Sequence, residues 1–146
     1  MKIVIGSDHG GYHYKEQMKE YLTEKGHEVV DVGTHSEDSV DYPVYAKKTA
    51  HTLLDEGGDF GIIFCGTGIG ISIAANKVAG IRCANVAEPL SASLARRHNN
   101  ANMIAMGERT MGFDLCVACV DTFLEAEFEG GRHQRRVDLI EEEIHG

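Results

Sequence analysis

Residues 59 to 77 read Asp59-Phe-Gly-Ile-Ile-Phe-Cys-Gly-Thr-Gly-Ile-Gly-Ile-Ser-Ile-Ala-Ala-Asn-Lys77. The apolar run from Phe60 to Cys65 is typical of a strand buried on both faces of a parallel sheet. The Ala-rich segment from Ser72 to Lys77 predicts a helix. Between them lie three glycines, which suit a tight turn from strand to helix because glycine tolerates positive φ: Gly66, Gly68 and Gly70.

Such a glycine loop is typical of a site for an anion or an oxyanion. It turns several backbone N–H groups toward one point, where the dipole of the following helix adds partial positive charge. Cys65 and Thr67 lie at the edge of this point, and a thiol beside a helix N-terminus is a candidate base or nucleophile. A second interpretation is also open, since any tight turn can use glycine and a lone cysteine in an apolar strand is more often a core residue.

The same loop suggests a nucleotide-binding protein as an alternative. Glu88 lies about 20 residues beyond the glycines, the distance at which such proteins place an acid for the ribose. The glycines, however, alternate with single residues instead of following Gly-x-Gly-x-x-Gly, and the loop follows the third predicted strand. No Gly-Lys-Ser/Thr follows, so a Walker loop is excluded.

Composition limits the classes of protein to consider. The chain has 146 residues, 42% of them hydrophobic, so we expect a single domain over residues 1–146. Its net charge of −9 argues against a broad surface for nucleic acid or anionic membranes. No apolar run approaches the roughly 18 residues of a membrane span, and no signal-like segment follows Met1, so we expect a cytoplasmic protein. The 4 cysteines do not form the pattern of a disulfide framework.

Strand and helix patterns alternate along the whole chain. Apolar, β-branched runs predict five strands, at residues 2–7, 27–33, 60–65, 81–86 and 102–106. Helical periodicity and end signals predict helices at residues 12–25, 44–56, 72–77, 90–98 and 112–128, and a last helix at 132–144. The alternation predicts an α/β fold, a doubly wound parallel five-stranded sheet with helices on both faces and a C-terminal helix.

Several polar side chains follow strand ends, where ligands bind in doubly wound sheets. We expect them to share the carboxyl edge of the sheet: Asp8, His9, Cys65, Thr67, Glu88 and Arg109. A carboxylate beside an imidazole, as in Asp8-His9, is suited to proton transfer, although an ordinary surface role is equally open.

Two basic groups lie farther along the chain. Arg132 and Arg136 are four residues apart, so in a helix they share one face suited to phosphate, whereas Arg135 points elsewhere. The alternative is a solvated basic patch that balances the acidic residues after it. His98, at the end of a predicted helix, is a candidate general acid or a cap for the last carbonyl groups.

Cys116 and Cys119 have the Cys-x-x-Cys spacing of redox and zinc sites. They lie inside a predicted helix with no second ligand pair, so we expect them to pack in the core. The sequence contains no other spacing that is typical of a metal site.

Five segments together resemble the type B ribose-5-phosphate isomerases, a family that also includes galactose-6-phosphate isomerase subunits and allose-6-phosphate isomerases. The resemblance implies a Rossmann-like sheet, no metal or cofactor, and a phosphorylated sugar as substrate. It also implies homodimers, sometimes paired into tetramers, whose active sites are shared between subunits. The segments cover nearly the whole chain in order: Gly6-Ser-Asp-His9, Asp41-Tyr-Pro43, Cys65 to Lys77, Arg97-His-Asn99 and Glu129-Gly-Gly-Arg-His-Gln-Arg-Arg136.

The resemblance implies a role for each matching residue. Cys65 would take the proton from C2 of the open sugar, and Thr67 would move protons between O1 and O2. His98, with Asp8 nearby, would open the furanose ring. The enediolate would be held by amides of residues 66–72, among them those of Gly66, Gly68, Gly70 and Ser72. Tyr42 and Asn99 would contact sugar hydroxyls, and phosphate would be bound by residues some of which belong to the neighbouring subunit: His9, Arg109, Arg132 and Arg136.

These implied roles describe a metal-independent aldose-ketose isomerase that interconverts ribose 5-phosphate and ribulose 5-phosphate. Such an enzyme needs a base, an oxyanion site, a ring-opening acid and a phosphate anchor, and we expect all four on the carboxyl edge or near it. Allose 6-phosphate or galactose 6-phosphate is the alternative substrate, since the sequence does not indicate sugar length. A nucleotide-binding regulatory module is the alternative from another class, and it would have no use for Cys65.

Overall fold

Five parallel strands form the centre of the protein. A computed structural model describes residues 1–143 and has these strands within them: β1 (Lys2–Ser7), β2 (Glu28–Asp31), β3 (Phe60–Cys65), β4 (Cys83–Asn85) and β5 (Met103–Gly107). They form one sheet in the order β2-β1-β3-β5-β4. The three central strands are almost fully buried, as their continuous apolar sequences predict.

Helices cover both faces of this sheet. Within residues 1–143 there are six α-helices: α1 (Tyr12–Glu24), α2 (Tyr42–Asp55), α3 (Ile69–Ala75), α4 (Pro89–Arg97), α5 (Phe113–Glu125) and α6 (Arg132–Glu141). Ile3 and Ile5 of β1 enter a core shared with α1, α4 and α5, whereas Val4 enters the core shared with α2 and α3. This alternation confirms the predicted doubly wound α/β fold. None of the helices described is long and apolar enough to cross a bilayer.

The elements differ from the predicted ranges mainly at their ends. β2 ends at Asp31 because Asp31 Oδ1 accepts the Gly33 N–H at 2.9 Å and Gly33 turns the chain with φ of 99°. α3 ends before Asn76, whose side-chain amide bonds the backbone N–H and carbonyl of Cys83 at 2.7 and 2.8 Å. α5 ends at Glu125, three residues before its predicted end. The predicted end of the last helix, Ile144, lies outside the described residues.

A buried ion pair anchors the first turn of α1 to β2. Lys15 Nζ lies 2.6 Å from Asp31 Oδ2, and the Lys15 side chain is fully buried. Burial acts to raise the pKa of Asp31, but hydrogen bonds from Lys15 and the Gly33 N–H outweigh it, so the pKa is lowered. The anchor fixes the helix that directly follows the loop with Asp8 and His9.

Candidate active site

The chain changes direction across the sheet between β1 and β3, since β2 lies on one side of β1 and β3 on the other. In doubly wound sheets this switch point opens a crevice at the carboxyl edge, where ligands bind. The loops after the two strands meet there. The Asp8 N–H donates to the carbonyl of Phe64 at 3.3 Å, and Gly10 lies against Gly66.

Cys65 lies at this switch point, at the end of β3. It is 6% exposed, and its Sγ accepts the Gly68 N–H at 3.0 Å. Gly68 has φ of 80°, and a Cβ at this position would lie 2.7 Å from Asn85 Oδ1 and 2.9 Å from the backbone of Met106. Only glycine therefore lets the loop approach β5 closely and direct its N–H at the sulfur.

Thr67 and Ser72 organise the start of α3. Thr67 is exposed, and its Oγ1 accepts the Ile69 N–H at 3.2 Å. Ser72 is buried, its Oγ donates to the Ile69 carbonyl at 2.7 Å, and its N–H donates to the Gly68 carbonyl at 3.2 Å. The amides of Gly68, Ile69 and Ser72 are thus engaged within the loop. We expected amides throughout residues 66–72 to face a ligand. The amides that remain for this role are the other ones of the loop, among them those of Gly66 and Gly70.

Tyr42 and Arg109 lie against two of the loop glycines. Tyr42 is the first residue of α2, and a Cβ at Gly70 would lie 2.7 Å from its Cε1. The Arg109 N–H donates to the Gly66 carbonyl at 2.9 Å, and its Cδ would lie 3.4 Å from a Cβ at Gly66. Both side chains are exposed. A ligand on the loop would therefore meet a phenol and a guanidinium group.

Asp8 and His9 occupy the neighbouring loop. Asp8 is 7% exposed, and its Oδ1 accepts the Gly11 N–H at 3.1 Å, which fixes the carboxylate at the loop. His9 is exposed, and its Nδ1 lies 3.1 Å from the backbone N and 3.2 Å from the carbonyl O of Val40. These contacts orient the ring so that Nε2 is the nitrogen left for a ligand.

His98 and Asn99 lie at the opposite, amino edge of the sheet. α4 runs back from the carboxyl end of β4, and the Asn99 carbonyl accepts a bond from Arg82 Nε, just before β4, at 3.0 Å. The 5 residues of β5 separate the two edges, a length of about 16 Å at 3.3 Å per residue. Within one chain, His98 therefore lies away from Asp8 and the carboxyl edge, and its role as a ring-opening acid beside Asp8 stays a prediction that needs a second copy of the chain.

His98 belongs to a cluster with Glu129 and His133. The two imidazoles are stacked, with centroids 4.2 Å apart and an interplanar angle of 9°. Their Nε2 atoms lie 3.8 and 3.6 Å from Glu129 Oε1, while Arg97 Nε donates to Glu129 Oε2 at 2.8 Å. Burial lowers the pKa of His133, and positive charge on His98 and Arg132 lowers it further.

The ligand atoms of His98, Glu129 and His133 lie within 4.8 Å of one another, and among residues 1–143 this is the group whose spacing could hold a metal ion. Two imidazoles and a carboxylate are a frequent zinc ligand set. Arg97 already bonds the carboxylate, and the charge of Arg132 reaches His133. This positive charge weakens the binding of a cation and favours an anion.

Three arginines of α6 are exposed beside this cluster: Arg132, Arg135 and Arg136. Arg132 and Arg136 are separated by four residues within one helix, so they share a face as predicted. His133, next to Arg132 in the chain, stacks on His98 and so places α6 at the same edge as His98. The arginine pair therefore belongs with the amino edge.

A family model described as Ribose/Galactose Isomerase matches residues 3–140. The chain belongs to this family. Ribose-5-phosphate isomerase B of Escherichia coli (strain K12) is 49% identical over 139 residues, which cover 95% of this chain and 93% of the relative.

Solved structures of ribose/galactose isomerases have the same fold. Ribose-5-phosphate isomerase B of Clostridium thermocellum has a TM-score of 0.95 and 52% identity, and the match covers 97% of this chain and 95% of that one. Ribose-5-phosphate isomerase B of Mycoplasma genitalium, with bound ribulose-5-phosphate, has a TM-score of 0.91 and 42% identity, over 96% of this chain and 93% of that one. These similarities confirm both the family resemblance and the predicted fold.

Glu88 of this ribose/galactose isomerase is a helix cap. Its carboxylate oxygens accept the N–H groups of Leu90 and Ser91 at 2.7 and 2.8 Å. This bonding engages the acid that the nucleotide-binding alternative would need for a ribose.

Cys116 and Cys119 are fully buried in α5 and are free thiols. Burial raises the pKa of Cys116 to about 12 and that of Cys119 to about 11, so both stay protonated near neutral pH. They pack in the core, as the sequence predicts.

Three residues of the amino edge are not predicted as site residues from the sequence. Glu129 and His133 lie inside the motif that predicts the arginine pair, and their spacing of four residues was an available signal for a shared site. Arg82 carries no such signal, because its partners Asn99 and Asn100 lie in a distant segment.

Proposed function

We propose that this ribose/galactose isomerase interconverts ribose 5-phosphate and ribulose 5-phosphate. The proposal is supported by 49% identity to the Escherichia coli ribose-5-phosphate isomerase B and by similarity to a Mycoplasma genitalium structure with bound ribulose-5-phosphate. The family description also includes galactose isomerase. Galactose 6-phosphate is therefore the second candidate substrate, and the resemblance of the sequence motifs adds allose 6-phosphate to it.

The observation that carries the proposal is the position of the Cys65 sulfur, held at the switch point by the Gly68 N–H at 3.0 Å. A base that serves two adjacent carbons of one sugar needs a fixed position. Cys65 takes the proton from C2 of the open aldose, and an enediolate forms. Return of a proton to C1 completes the ketose. The carbon skeleton keeps its oxidation level, so the reaction needs no redox cofactor.

The glycine loop supplies the oxyanion site in this proposal. The amides of Gly66 and Gly70 face the enediolate, because those of Gly68 and Ser72 are engaged within the loop. The Thr67 hydroxyl, exposed at the same edge, moves the proton between O1 and O2. Tyr42, which lies against Gly70, contacts a sugar hydroxyl.

A second copy of the chain completes each site. His98 and Asn99 lie at the amino edge, about 16 Å from the carboxyl edge by the length of β5, yet ring opening and proton transfer act on one sugar. We therefore assign Cys65, Thr67 and Asp8 to one copy and His98 and Asn99 to its neighbour. This assignment requires a homodimer, or a tetramer made of two dimers.

Phosphate is bound from both copies in the same arrangement. His9 and Arg109 lie at the carboxyl edge of one copy, and Arg132 and Arg136 lie on α6 of the other. A dianion between them is surrounded by guanidinium groups, which suit phosphate. Such a local cationic site compensates for the chain's net charge of −9.

A cytoplasmic location is proposed from the sequence alone.

The test is isomerisation of ribose 5-phosphate by the full chain and by Cys65→Ala. Loss of a positioned base lowers turnover by about 10²- to 10⁴-fold, while the circular dichroism spectrum stays unchanged. Cys116→Ala, which removes a buried thiol from α5, is the matched control and keeps turnover near the starting value. Turnover close to normal in Cys65→Ala would remove the proposed base.

Sugar length is tested by assaying ribose 5-phosphate, allose 6-phosphate and galactose 6-phosphate side by side. The proposal expects the highest kcat/KM with ribose 5-phosphate. A higher value with either hexose phosphate makes the second candidate the substrate, and no reaction with any of the three removes the isomerase proposal.

A further inference from the structure

Arg82 connects three parts of the amino edge. Its Nε donates to the Asn99 carbonyl at 3.0 Å, and its Nη2 donates to the Asn100 carbonyl at 2.9 Å. Its Nη1 lies 2.5 Å from Glu141 Oε1 on α6. The side chain is only 19% exposed. A planar guanidinium with all three nitrogens engaged holds its partners in one geometry.

The backbone of Arg82 is itself fixed to the sheet. Its N–H donates to Asn102 Oδ1 at 2.9 Å, and its carbonyl accepts the N–H groups of Asn102 and Met103 at 3.0 and 3.3 Å. Met103 begins β5, whose residues are all buried. The guanidinium therefore extends from the most rigid part of the molecule, the central sheet.

The turn that Arg82 bonds is the one directly after His98. Asn100 has φ of 46°, a left-handed conformation that few residues other than glycine adopt. Contacts from outside hold this turn in place. Arg96 Nη1 donates to Asn100 Oδ1 and the Ala101 carbonyl at 2.8 and 2.9 Å. Arg82 donates to the carbonyls of Asn99 and Asn100. His98 is the C-terminal cap of α4, immediately before the bonded carbonyls.

We propose that Arg82 is a positioning residue that fixes residues 98–100 so that the His98 imidazole reaches the ring oxygen of the sugar in the neighbouring copy. This inference rests on the ring-opening role given to His98 in the proposed function. Arg82 acts through the turn and does not touch the substrate. Without its guanidinium, the carbonyls of Asn99 and Asn100 lose their donors, and the turn is free to shift. A displacement of about 1 Å costs on the order of 100-fold in rate.

Histidine ring NMR of the full chain without substrate tests the positioning directly. In Arg82→Met we expect the His98 ring resonances, assigned by their loss in His98→Asn, to shift or broaden. Those of His13, remote on α1, should stay unchanged. Glu141→Gln keeps both bonds to the turn and should leave His98 as it is. Unchanged His98 resonances in Arg82→Met overturn the inference, whether or not the chain isomerises ribose 5-phosphate.

Two rates then separate positioning from general damage to the fold. Isomerisation of ribose 5-phosphate needs ring opening, whereas exchange of hydrogen at C1 of ribulose 5-phosphate with D₂O needs only the base, because this ketose is acyclic. Arg82→Met should lower isomerisation about 10- to 100-fold and exchange far less, with Arg82→Lys in between and Glu141→Gln near the starting chain. Equal loss of both rates in Arg82→Met, or the same loss in Glu141→Gln, would overturn the role. Absence of isomerisation in the starting chain refutes the proposed function instead and leaves the NMR result to decide.

Discussion

Cys65 and His98 lie at opposite edges of one parallel sheet, separated by the length of β5. Each residue has a contact that holds it at its own edge. The Cys65 thiol accepts a backbone N–H of the glycine loop, and the His98 imidazole stacks on the buried His133. The proposed reaction needs both groups at one sugar. In the proposed function, two copies of the chain therefore share the chemistry, with ring opening contributed by one copy and proton transfer by the other.

The first prediction separates these two parts with His98→Asn. This variant should lose most of its isomerisation of ribose 5-phosphate, by about 10²-fold or more, since ring opening then lacks its acid. Exchange of the C1 hydrogen of ribulose 5-phosphate with D₂O should persist, because Cys65 and the glycine loop are intact. NMR of the recovered ketose measures the exchange. Cys65→Ala is the contrasting variant and should lose both activities, and parallel loss of both in His98→Asn would contradict a ring-opening role.

The second prediction concerns pH and His133. The pKa of its imidazole is lowered in the folded protein, first by burial and then by positive charge on His98 and Arg132. The unfolded chain therefore binds a proton more readily, so stability falls as pH drops from about 6.5, the ordinary value, toward the lowered pKa.

Urea unfolding of the starting chain and of His133→Gln over this pH range checks the sign. The variant should lose less stability on acidification than the starting chain does. His51→Gln, at an exposed position of α2, is the matched control and should follow the starting chain. A slope in His133→Gln equal to that of the control would show that His133 does not carry this pH dependence.

The carboxyl edge was largely predictable from sequence because its signals are local. The strand, the glycines and the helix within residues 59–77 specify the loop that holds Cys65, with only the helix start displaced to Ile69. His98, in contrast, lies away from the edge at which we expected it. A helix that follows a parallel strand runs back to the amino edge, and His98 is at the end of such a helix. Contacts such as Arg82 with Asn99, or Tyr42 with Gly70, join distant segments through side-chain packing, which leaves no periodic pattern in a single sequence.

The third prediction tests the contact between Gly70 and Tyr42. A Cβ at Gly70 would lie 2.7 Å from Tyr42 Cε1, and the Tyr42 side chain, 41% exposed, has room to move into solvent. Gly70→Ala should therefore change stability by no more than about 1 kcal/mol but raise KM for the sugar phosphate by displacing the phenol. The double variant with Tyr42→Ala should be no worse than either single variant, because both remove the same contact. Additive effects in this cycle would place the damage from Gly70→Ala in the oxyanion loop itself.

The fourth prediction compares two neighbouring arginines of α6. Arg136 lies about 40° from Arg132 around the helix axis, whereas Arg135 lies about 60° from Arg132 on the other side, and both are exposed. A charge-assisted hydrogen bond contributes about 1.5 to 3 kcal/mol, so Arg136→Ala should raise KM for ribose 5-phosphate roughly 10- to 100-fold. Arg135→Ala removes the same charge from the same helix and should change KM little. Similar increases in both variants would point to net charge instead of a defined phosphate contact.

The last prediction tests whether the two edges act across a subunit interface. Cys65→Ala retains its amino edge and Arg136→Ala retains its carboxyl edge, so a hybrid dimer of the two has one site with both groups intact. After random exchange between equal amounts of the two variants, half of the dimers are hybrids. One of the two sites in each hybrid is complete, so the mixture should reach about a quarter of the starting activity. Each variant is first measured alone, and exchange of subunits is verified by mass spectrometry of differently tagged chains. A mixture that stays at the mean of the two variants after verified exchange would assign Arg136 to the site of its own chain, because only sites shared between copies gain activity on mixing.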